Sequence, residues 1–425
     1  NGITLSSWDT SNVTTMEGMF ESCDELSALD VSNWNTSNVT NLKRVFAFCS
    51  GLQSLDVSNW DTSNATDMSY MFGWCDSLLY IDGLSAIDIT SATTIAGMFI
   101  QCHELLTSLA PIEDWDVSHI TNMTDLFSGT KNVLLNNGIT LSSWDTSAVT
   151  TMARMFEDCN DLSTIDWAHI NTTNVTNMES MFAYSNLAGV DFSNFITNKV
   201  TSMRGMFLDA YGIDSFRVPF LLNTVTNMSM MFYGANIREI IFSVSPANAV
   251  LDMSYMFSDC LAERIELSES IGYLNKTMDS MFEDCINLVE LDLSGLNTSS
   301  VTTAWYAFAH CVKLQELDLF GCNFSSLGSK WTTSAYMFTD LPALQSIWIN
   351  GTISNAKIKQ SKFGEDYQWI HTHYNPQMLT NDDTIYDAAS IRNNWNPEND
   401  SGLWVRYIEP AQTIDVTLSR YRTVT

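Results

Sequence analysis

A ten-residue stretch, Thr14-Thr15-Met16-Glu17-Gly18-Met19-Phe20-Glu21-Ser22-Cys23, recurs along most of the chain. Its Phe returns as Phe46, Phe72, Phe99, Phe127, Phe156, Phe182, Phe207, Phe232, Phe257, Phe282, Phe308 and Phe338. The thirteen copies lie 25 to 29 residues apart, with 30 at the last step. A fixed period in this range means a solenoid, whose units bury their apolar faces only against neighbouring units.

One unit reads Leu26-x-x-Leu29-x-Val31-x-x-Trp34, then Asn35-Thr36-Ser37-Asn38-Val39-Thr40, then the Met/Phe/Cys segment. The first part fits the leucine-rich-repeat template L-x-x-L-x-L-x-x-N, with Trp at the Asn place. It predicts a short strand near residues 28–32, stacked in parallel on its neighbours about 4.8 Å away. In the last part Met16, Met19, Phe20 and Cys23 fall at i, i+3, i+4 and i+7, one face of a short helix. Thr stands six residues before the Phe in eleven of the thirteen copies, where an N-cap hydroxyl would serve that helix. Thr14 with Glu17, and Thr176 with Glu179, have capping-box spacing. The expected fold is an α/β solenoid, a leucine-rich-repeat-like right-handed array. It would have about 13 strand-turn-helix repeats of 25–30 residues over residues 1–350.

Copies four and five are longer, through His103–Trp115 and Lys131–Trp144. Copies eight to ten lose the Trp and gain Pro219 and Pro246, which reads as repeat decay, a bend or a specificity region. From about Gly351 the repeat stops. Gly402-Leu-Trp-Val-Arg-Tyr-Ile and Thr413-Ile-Asp-Val-Thr-Leu then read as strands. Residues 351–425 are expected to form a small β-rich cap or linking module, since a solenoid needs its last core covered. The chain opens inside a unit, and Asn137–Ser147 repeats Asn1–Ser11 without a change. It reads as a piece of a longer array, so the missing targeting signal says nothing of compartment.

The net charge is −30, from 19 Lys and Arg against 49 Asp and Glu. Residues 1–350 hold 12 of these cations and 40 of these acids. Such a surface repels nucleic acid and anionic lipid, and no apolar run reaches the roughly 20 residues of a membrane span. It favours a monomer at neutral pH, with self-association expected once acid neutralises the carboxylates.

Eight of nine cysteines stand three residues after the Phe: Cys23, Cys49, Cys75, Cys102, Cys159, Cys260, Cys285 and Cys311. Thr130, Ser185, Ala210, Ala235 or Leu341 holds that place elsewhere. A buried small side chain explains the exchange better than a disulfide ladder. The absence of C-x-x-C speaks against zinc. Cys322 is off register. The Met column reads as core. Asp follows the second Leu at Asp30, Asp56, Asp166, Asp191, Asp292 and Asp318, and Arg217 takes its place once. Strand alternation points this column away from the Leu core, onto the concave face of the expected fold. With Ser32 and Ser58 it is the candidate binding face. Stacked like charges are unfavourable there. Neighbouring Ser side chains, bound Ca2+ or a basic ligand would each relieve them. A solvated acidic ladder without a ligand is the plainer alternative. Asn-x-Ser/Thr sequons such as Asn12, Asn38, Asn64, Asn122, Asn174, Asn227 and Asn275 mostly come from the repeated Asn-Val-Thr turn. His371-x-His373 offers two ligands without a third. No catalytic pair stands out, and no catalytic residue or cofactor is expected.

Trp-Asp-Thr-Ser-Asn-Val-Thr-x-Met-x-x-Met-Phe-x-x-Cys, at Trp8–Cys23 with variants at Trp34–Cys49, Trp60–Cys75 and Trp144–Cys159, resembles the BspA-type leucine-rich repeats of bacterial surface proteins. The version is most similar to that of large cell-wall proteins of lactobacilli and related Firmicutes. The resemblance covers about residues 1–345. It implies a secreted, wall-attached adhesin without enzymatic activity. Such a protein presents its repeats to host extracellular matrix, mucin, polysaccharide or neighbouring bacterial cells. Wall attachment would lie in parts outside this chain. Because its charge is carboxylate, adhesion is expected to strengthen in acid. A rigid stalk that displays another domain, without a ligand of its own, is the alternative.

Overall fold

The structure is a computed structural model. It describes residues 3–349 apart from residue 6 and the stretches 106–109, 132–137, 243–249, 268–273 and 329–335. Beyond residue 349 it describes the strands at 369–373, 380–386 and 402–406. The stretch 413–418 lies outside the described residues.

The chain is a parallel β-solenoid. In the first and last coils short strands sit where the first Leu-x-Leu part of the unit predicts them and pair in register with the next coil; between Asp82 and Ser215 that part holds turns instead. Ile3–Thr4 pairs with Leu29–Asp30, and Ser54–Asp56 with Tyr80–Asp82. Ser215–Val218, Glu239–Phe242, Arg264–Glu266 and Glu290–Asp292 form one four-stranded parallel sheet. Register keeps apolar residues in one inward column, as in Phe216–Ile240–Ile265–Leu291. A second column of parallel bridges links Thr15, Asn41, Asp67, Thr94, Asn122 and Thr151 from coil to coil.

The Met/Phe/Cys segment is not a helix, and the expected α/β, leucine-rich-repeat-like array of strand-turn-helix units is corrected to a parallel β-solenoid. Among the described residues, helical geometry is confined to two 3-10 turns, Leu84–Ala86 and Ala110–Asp114. In an α-helix every N–H would bond four residues back. Here Leu42, Arg44, Phe46 and Phe48 donate outward to Asp67, Ser69, Met71 and Gly73 of the next coil. Val45, Ala47 and Cys49 between them donate back three residues, to Leu42, Arg44 and Phe46. The segment is thus a chain of tight turns in which alternate N–H groups form an inter-coil ladder. The third residue of the outer turns takes positive φ, as in a type II turn. Gly18 (φ 60), Arg44 (φ 55) and Tyr70 (φ 59) do so two before the Phe, and Ser22 (φ 61), Phe48 (φ 61) and Trp74 (φ 57) two after it. Leu42, Val45, Phe46 and Cys49 are all buried, so the i, i+3, i+4, i+7 face is real although the backbone is not helical.

The helix-cap reading falls with the helix. Thr40 donates its N–H and its hydroxyl to the carbonyl of Thr14, and Thr66 does the same to Thr40. Glu17 does not reach back to a cap but accepts from the Asn41 amide, and Glu179 accepts from Ser202, both in the following coil. A different Thr column is buried. Thr146 Oγ1 donates to the Asn171 carbonyl at 2.9 Å and accepts the Asn171 N–H at 2.8 Å. Thr10, Thr36, Thr62, Thr172 and Thr298 repeat this reciprocal pair. Each such hydroxyl pairs both the carbonyl and the N–H of one residue in the next coil.

The core is an aromatic spine. From Phe20 to Phe338 every consecutive pair of repeat Phe rings is stacked, with centroids 5.3–6.2 Å apart. Trp8, Trp34 and Trp60 make a parallel stack beside it, and the Trp34 and Trp60 indoles donate to the carbonyls of Leu5 and Val31. Where the Trp is lost, Phe195 and Phe216 pack tilted or edge-on against the spine, and Phe220 stacks parallel on Phe207.

All nine cysteines are free thiols, and eight are buried; Cys23, in the first coil, is half-buried. Cys49, Cys75, Cys102 and Cys311 each donate Sγ–H at 3.1 Å to the Phe carbonyl of the preceding coil. Ser185 makes the same bond to Phe156. The position therefore favours a small donor, a finer requirement than small size. Burial pushes Cys49 up to about 11 and Cys102, Cys159 and Cys260 up to about 12. The thiolate is the reactive form, so at pH 8 a thiol reagent should label Cys23 in the native protein and leave the eight buried thiols until denaturant is added. Mass spectrometry of labelled native protein checks this, and rapid native labelling of Cys75 or Cys102 would contradict the packing.

At the far end, Glu316–Leu319 pairs in parallel with Ser346–Ile349. Gly402–Arg406 then adds antiparallel to Ser346–Ile349, followed by Trp369–His373 and Thr380–Tyr386. An antiparallel strand thus lies along the last parallel one.

Candidate functional site

The structure strings the sequence-predicted Asp column along the strand side of the solenoid and does not gather it into one cluster. Asp30 and Asp56 end two-to-three-residue strands, and Asp56 lies directly beside Asp82 in the next coil. Asp292 lies beside Glu266, and Asp318 beside Trp348. Arg217 is exposed on Ser215–Val218, opposite Ile241. Asp166 and Asp191 lie outside the strands, at the corresponding turns.

Each of these carboxylates closes its own turn. Asp30 Oδ1 accepts the Ser32 N–H at 3.2 Å and the Ser32 hydroxyl at 2.7 Å. Asp56 accepts from Ser58, Asp191 from Ser193, Asp292 from Ser294 and Asp318 from Phe320, all through the N–H at 2.9 Å. Asp166 takes the Ala168 N–H and the His169 ring at 2.7 Å. These are Asx turns, in which the side chain substitutes for a backbone acceptor. The Ser58 hydroxyl, then its N–H, holds Asp56 below the usual carboxylate range; the Ser193 N–H, then its hydroxyl, does so for Asp191. Ser58 therefore relieves the stacked charge at Asp56 locally. In the four-stranded sheet Arg264 does so, reaching Glu239 at 2.7 Å, Glu266 at 2.6 Å and Glu290 at 3.4 Å.

The opposite, turn-lined side carries a richer set of side chains, which the sequence reading did not single out. The two positive-φ columns project there. Phe48 stacks on Trp74 (centroids 4.3 Å, 5° between planes), Tyr70 also stacks on Trp74 at 5.5 Å, and the Arg44 guanidinium lies 5.5 Å over the Tyr70 ring. Tyr70 Oη donates to Asp125 Oδ2 at 3.1 Å. Arg154 grips the same carboxylate with Nε at 2.6 Å and Nη2 at 3.0 Å, and Asp125 is 4% exposed. Burial pushes the Glu157 carboxyl upward against the opposing pull of Arg154, and burial, then Asp259, raises Asp209. Phe48 and Tyr184 remain exposed. A signal was present in the sequence. The positions two before and two after the repeat Phe never hold Val, Ile or Thr, the residues least tolerant of positive φ. A solvent-facing helix would not exclude them so completely.

Among the described residues, no three His, Cys, Asp or Glu side chains assemble in a way that would hold a metal ion, and no helix is long and apolar enough to cross a membrane. His371 and His373 lie on the strand Trp369–His373. The amides of Asn38, Asn64 and Asn174, three of the sequons, donate to the carbonyls of Ser11, Ser37 and Ser147 one coil back.

No curated protein matches the chain. The family described as "Mycoplasma protein of unknown function, DUF285" matches it in overlapping segments, at residues 1–110, 93–219, 165–271, 219–320 and 247–350. These matches extend over the whole solenoid and end where the repeat ends, so the chain is a repeat solenoid protein that belongs to the DUF285 family.

Proposed function

We propose that this protein is a non-catalytic adhesin displayed on a bacterial cell surface. Its solenoid binds host matrix protein, mucin, polysaccharide or neighbouring cells. The resemblance of Trp8–Cys23 and its copies to BspA-type repeats of bacterial surface proteins supports the location. The observation that carries the binding reading is the exposed aromatic set on the turn side, Phe48 and Tyr184 with the half-buried Trp74 between Phe48 and Tyr70, on an otherwise strongly acidic rod. Aromatic groups held in solvent by a rigid scaffold are what macromolecular interfaces use as anchors.

The strand side is the second candidate face, through Asp30, Ser32, Asp56, Ser58, Asp166, Asp191, Arg217, Asp292 and Asp318. Its Asx turns favour the stalk reading for that side, because each carboxylate already serves its own coil. Changing Asp30, Asp56 and Asp292 together to Ser separates the two. Adhesion lost with folding intact assigns the face to a ligand; adhesion unchanged assigns it to structure.

Acid is expected to strengthen adhesion. As pH falls from 7, Glu157 and Asp209 protonate before ordinary carboxylates, since their folded values are raised. The penalty for their charged forms is present above those values and relieved below them. Asp56, Asp61 and Asp191 are depressed, so the stability they contribute persists through pH 4.5 and is lost only as pH falls through their folded values. These turns therefore keep their contribution to the fold while self-repulsion declines. Binding to immobilised mucin, fibronectin and a glycan panel should be stronger at pH 4.5 than at pH 7. Adhesion that grows steadily from pH 4 to pH 7 refutes the acid dependence, and no binding at either pH refutes the adhesin.

A further inference from the structure

The turn side of the coils between Phe72 and Phe182 holds a groove of about 590 Å³. Trp74 and Tyr184 line it, four coils apart, or about 19 Å along the axis at a spacing of about 4.8 Å per coil. Between them the lining mixes apolar Ile100 with polar Gln101, Asp125, Ser128, Arg154, Glu157 and Asp158.

The groove is preorganised. Buried Asp125 is fixed by two Arg154 hydrogen bonds and by Tyr70. Arg154 lies 4.0 Å from Glu157, which Ser128 also approaches at 3.4 Å. Two neighbouring glycines leave room for the Tyr70 and Gln101 side chains as they stand. A Cβ at Gly97 would run into the Tyr70 ring and one at Gly129 into the Gln101 amide, and both glycines hold positive φ. Groups fixed before binding lose little entropy on binding.

The lining restricts what fits. Three carboxylates against one guanidinium repel an anion. A cation entering the centre would meet Arg154, which already bridges Asp125 and Glu157. A wholly apolar ligand would leave these polar groups desolvated and unpaired. What remains is a neutral, hydroxyl-rich molecule with apolar faces. Its hydroxyls would donate to Glu157 and Asp158 and accept from Gln101 and Arg154, and its C–H faces would lie against the exposed Tyr184 ring and the edge of Trp74, whose faces Phe48 and Tyr70 cover.

We propose that this groove binds a short stretch of neutral glycan. The proposal deepens the adhesin reading and rests on it. The test uses the whole chain and calorimetry against neutral gluco-, manno-, galacto- and N-acetylhexosamine oligosaccharides, with sialylated and sulfated glycans and an oligolysine peptide alongside. Tyr184→Ala and Gln101→Ala remove exposed or half-buried groove groups; Trp305→Ala, exposed far along the array, is the control. The expected result is a neutral oligosaccharide bound by wild type and by Trp305→Ala, and at least about tenfold more weakly by Tyr184→Ala and Gln101→Ala, with melting curves unchanged. Affinity unaltered in both groove variants overturns the proposal. Binding of only sialylated, sulfated or oligolysine probes overturns it as well. Adhesion of wild type to mucin is measured in parallel. Mucin adhesion that no neutral oligosaccharide competes sinks the groove and leaves the adhesin; loss of both sinks both.

Discussion

Phe156→Ala is expected to destabilise the solenoid by about 5 kcal/mol. Phe156 is fully buried, stacked on Phe127 at 6.0 Å and Phe182 at 5.9 Å, with Trp167 edge-on at 5.4 Å. Truncating a buried Phe costs about 3–5 kcal/mol through lost transfer energy and the cavity left behind. Each aromatic pair adds about 0.5–1.5 kcal/mol beyond area burial. Position matters as well as size. The sixth of thirteen repeats couples two long halves, and in a quasi-one-dimensional array stability is a sum of units and their interfaces. Weakening one central interface should split a single urea transition into two, because the halves then melt separately. Phe156→Leu, which keeps most of the volume, should retain a single transition at a lower midpoint. A Phe156→Ala protein with one transition and a midpoint close to wild type would show that the spine is not what couples the coils.

Thr146→Val should cost about 2–4 kcal/mol although it changes the side chain's shape hardly at all. Thr146 is 0% exposed, and its hydroxyl both donates to the Asn171 carbonyl and accepts the Asn171 N–H. Valine fills the same space and removes both hydrogen bonds to the Asn171 backbone, at about 1–2 kcal/mol for each. Thr146→Ser keeps both bonds and should lie within about 1 kcal/mol of wild type, the cost of one methyl group. Urea midpoints rank the three proteins, and amide exchange at Asn171 should accelerate only in the Val variant. Equal stability of Val and Thr would mean that the ladder elsewhere carries the coil contact without this column.

The same Thr column shows where reading from residues ran short. Asn35-Thr36-Ser37-Asn38 reads as turn chemistry, and a turn does form: Asn35 Oδ1 accepts from Ser37 and the Val39 N–H bonds to Thr36. That Thr36 faces inward and bonds Asp61, 25 residues on, depends on the neighbouring coil. The candidate Asp face follows a similar course. Strand alternation placed Asp30 and Asp56 on the solvent side, while their bonds to Ser32 and Ser58 became visible only with the turn geometry. On the turn side, Tyr70 and Asp125 are 55 residues apart, and no local pattern joins them.

What the sequence by itself determined is the period, the solenoid and the identity of the buried faces. Leu29, Leu55, the repeat Phe, and the Met and Cys columns beyond the first coil are buried because apolar side chains recurring at one period have only each other to pack against. What only the tertiary structure decided is the backbone that carries them. A spacing of i, i+3, i+4 and i+7 marks a helix when the N–H groups must find partners within the segment. Here the adjacent coil, one hydrogen bond away, offers a carbonyl to every second N–H, as Asp67, Ser69, Met71 and Gly73 do for Leu42, Arg44, Phe46 and Phe48. Tight turns with positive φ then satisfy the remaining N–H groups, and the same four side chains reach the same core without a helix.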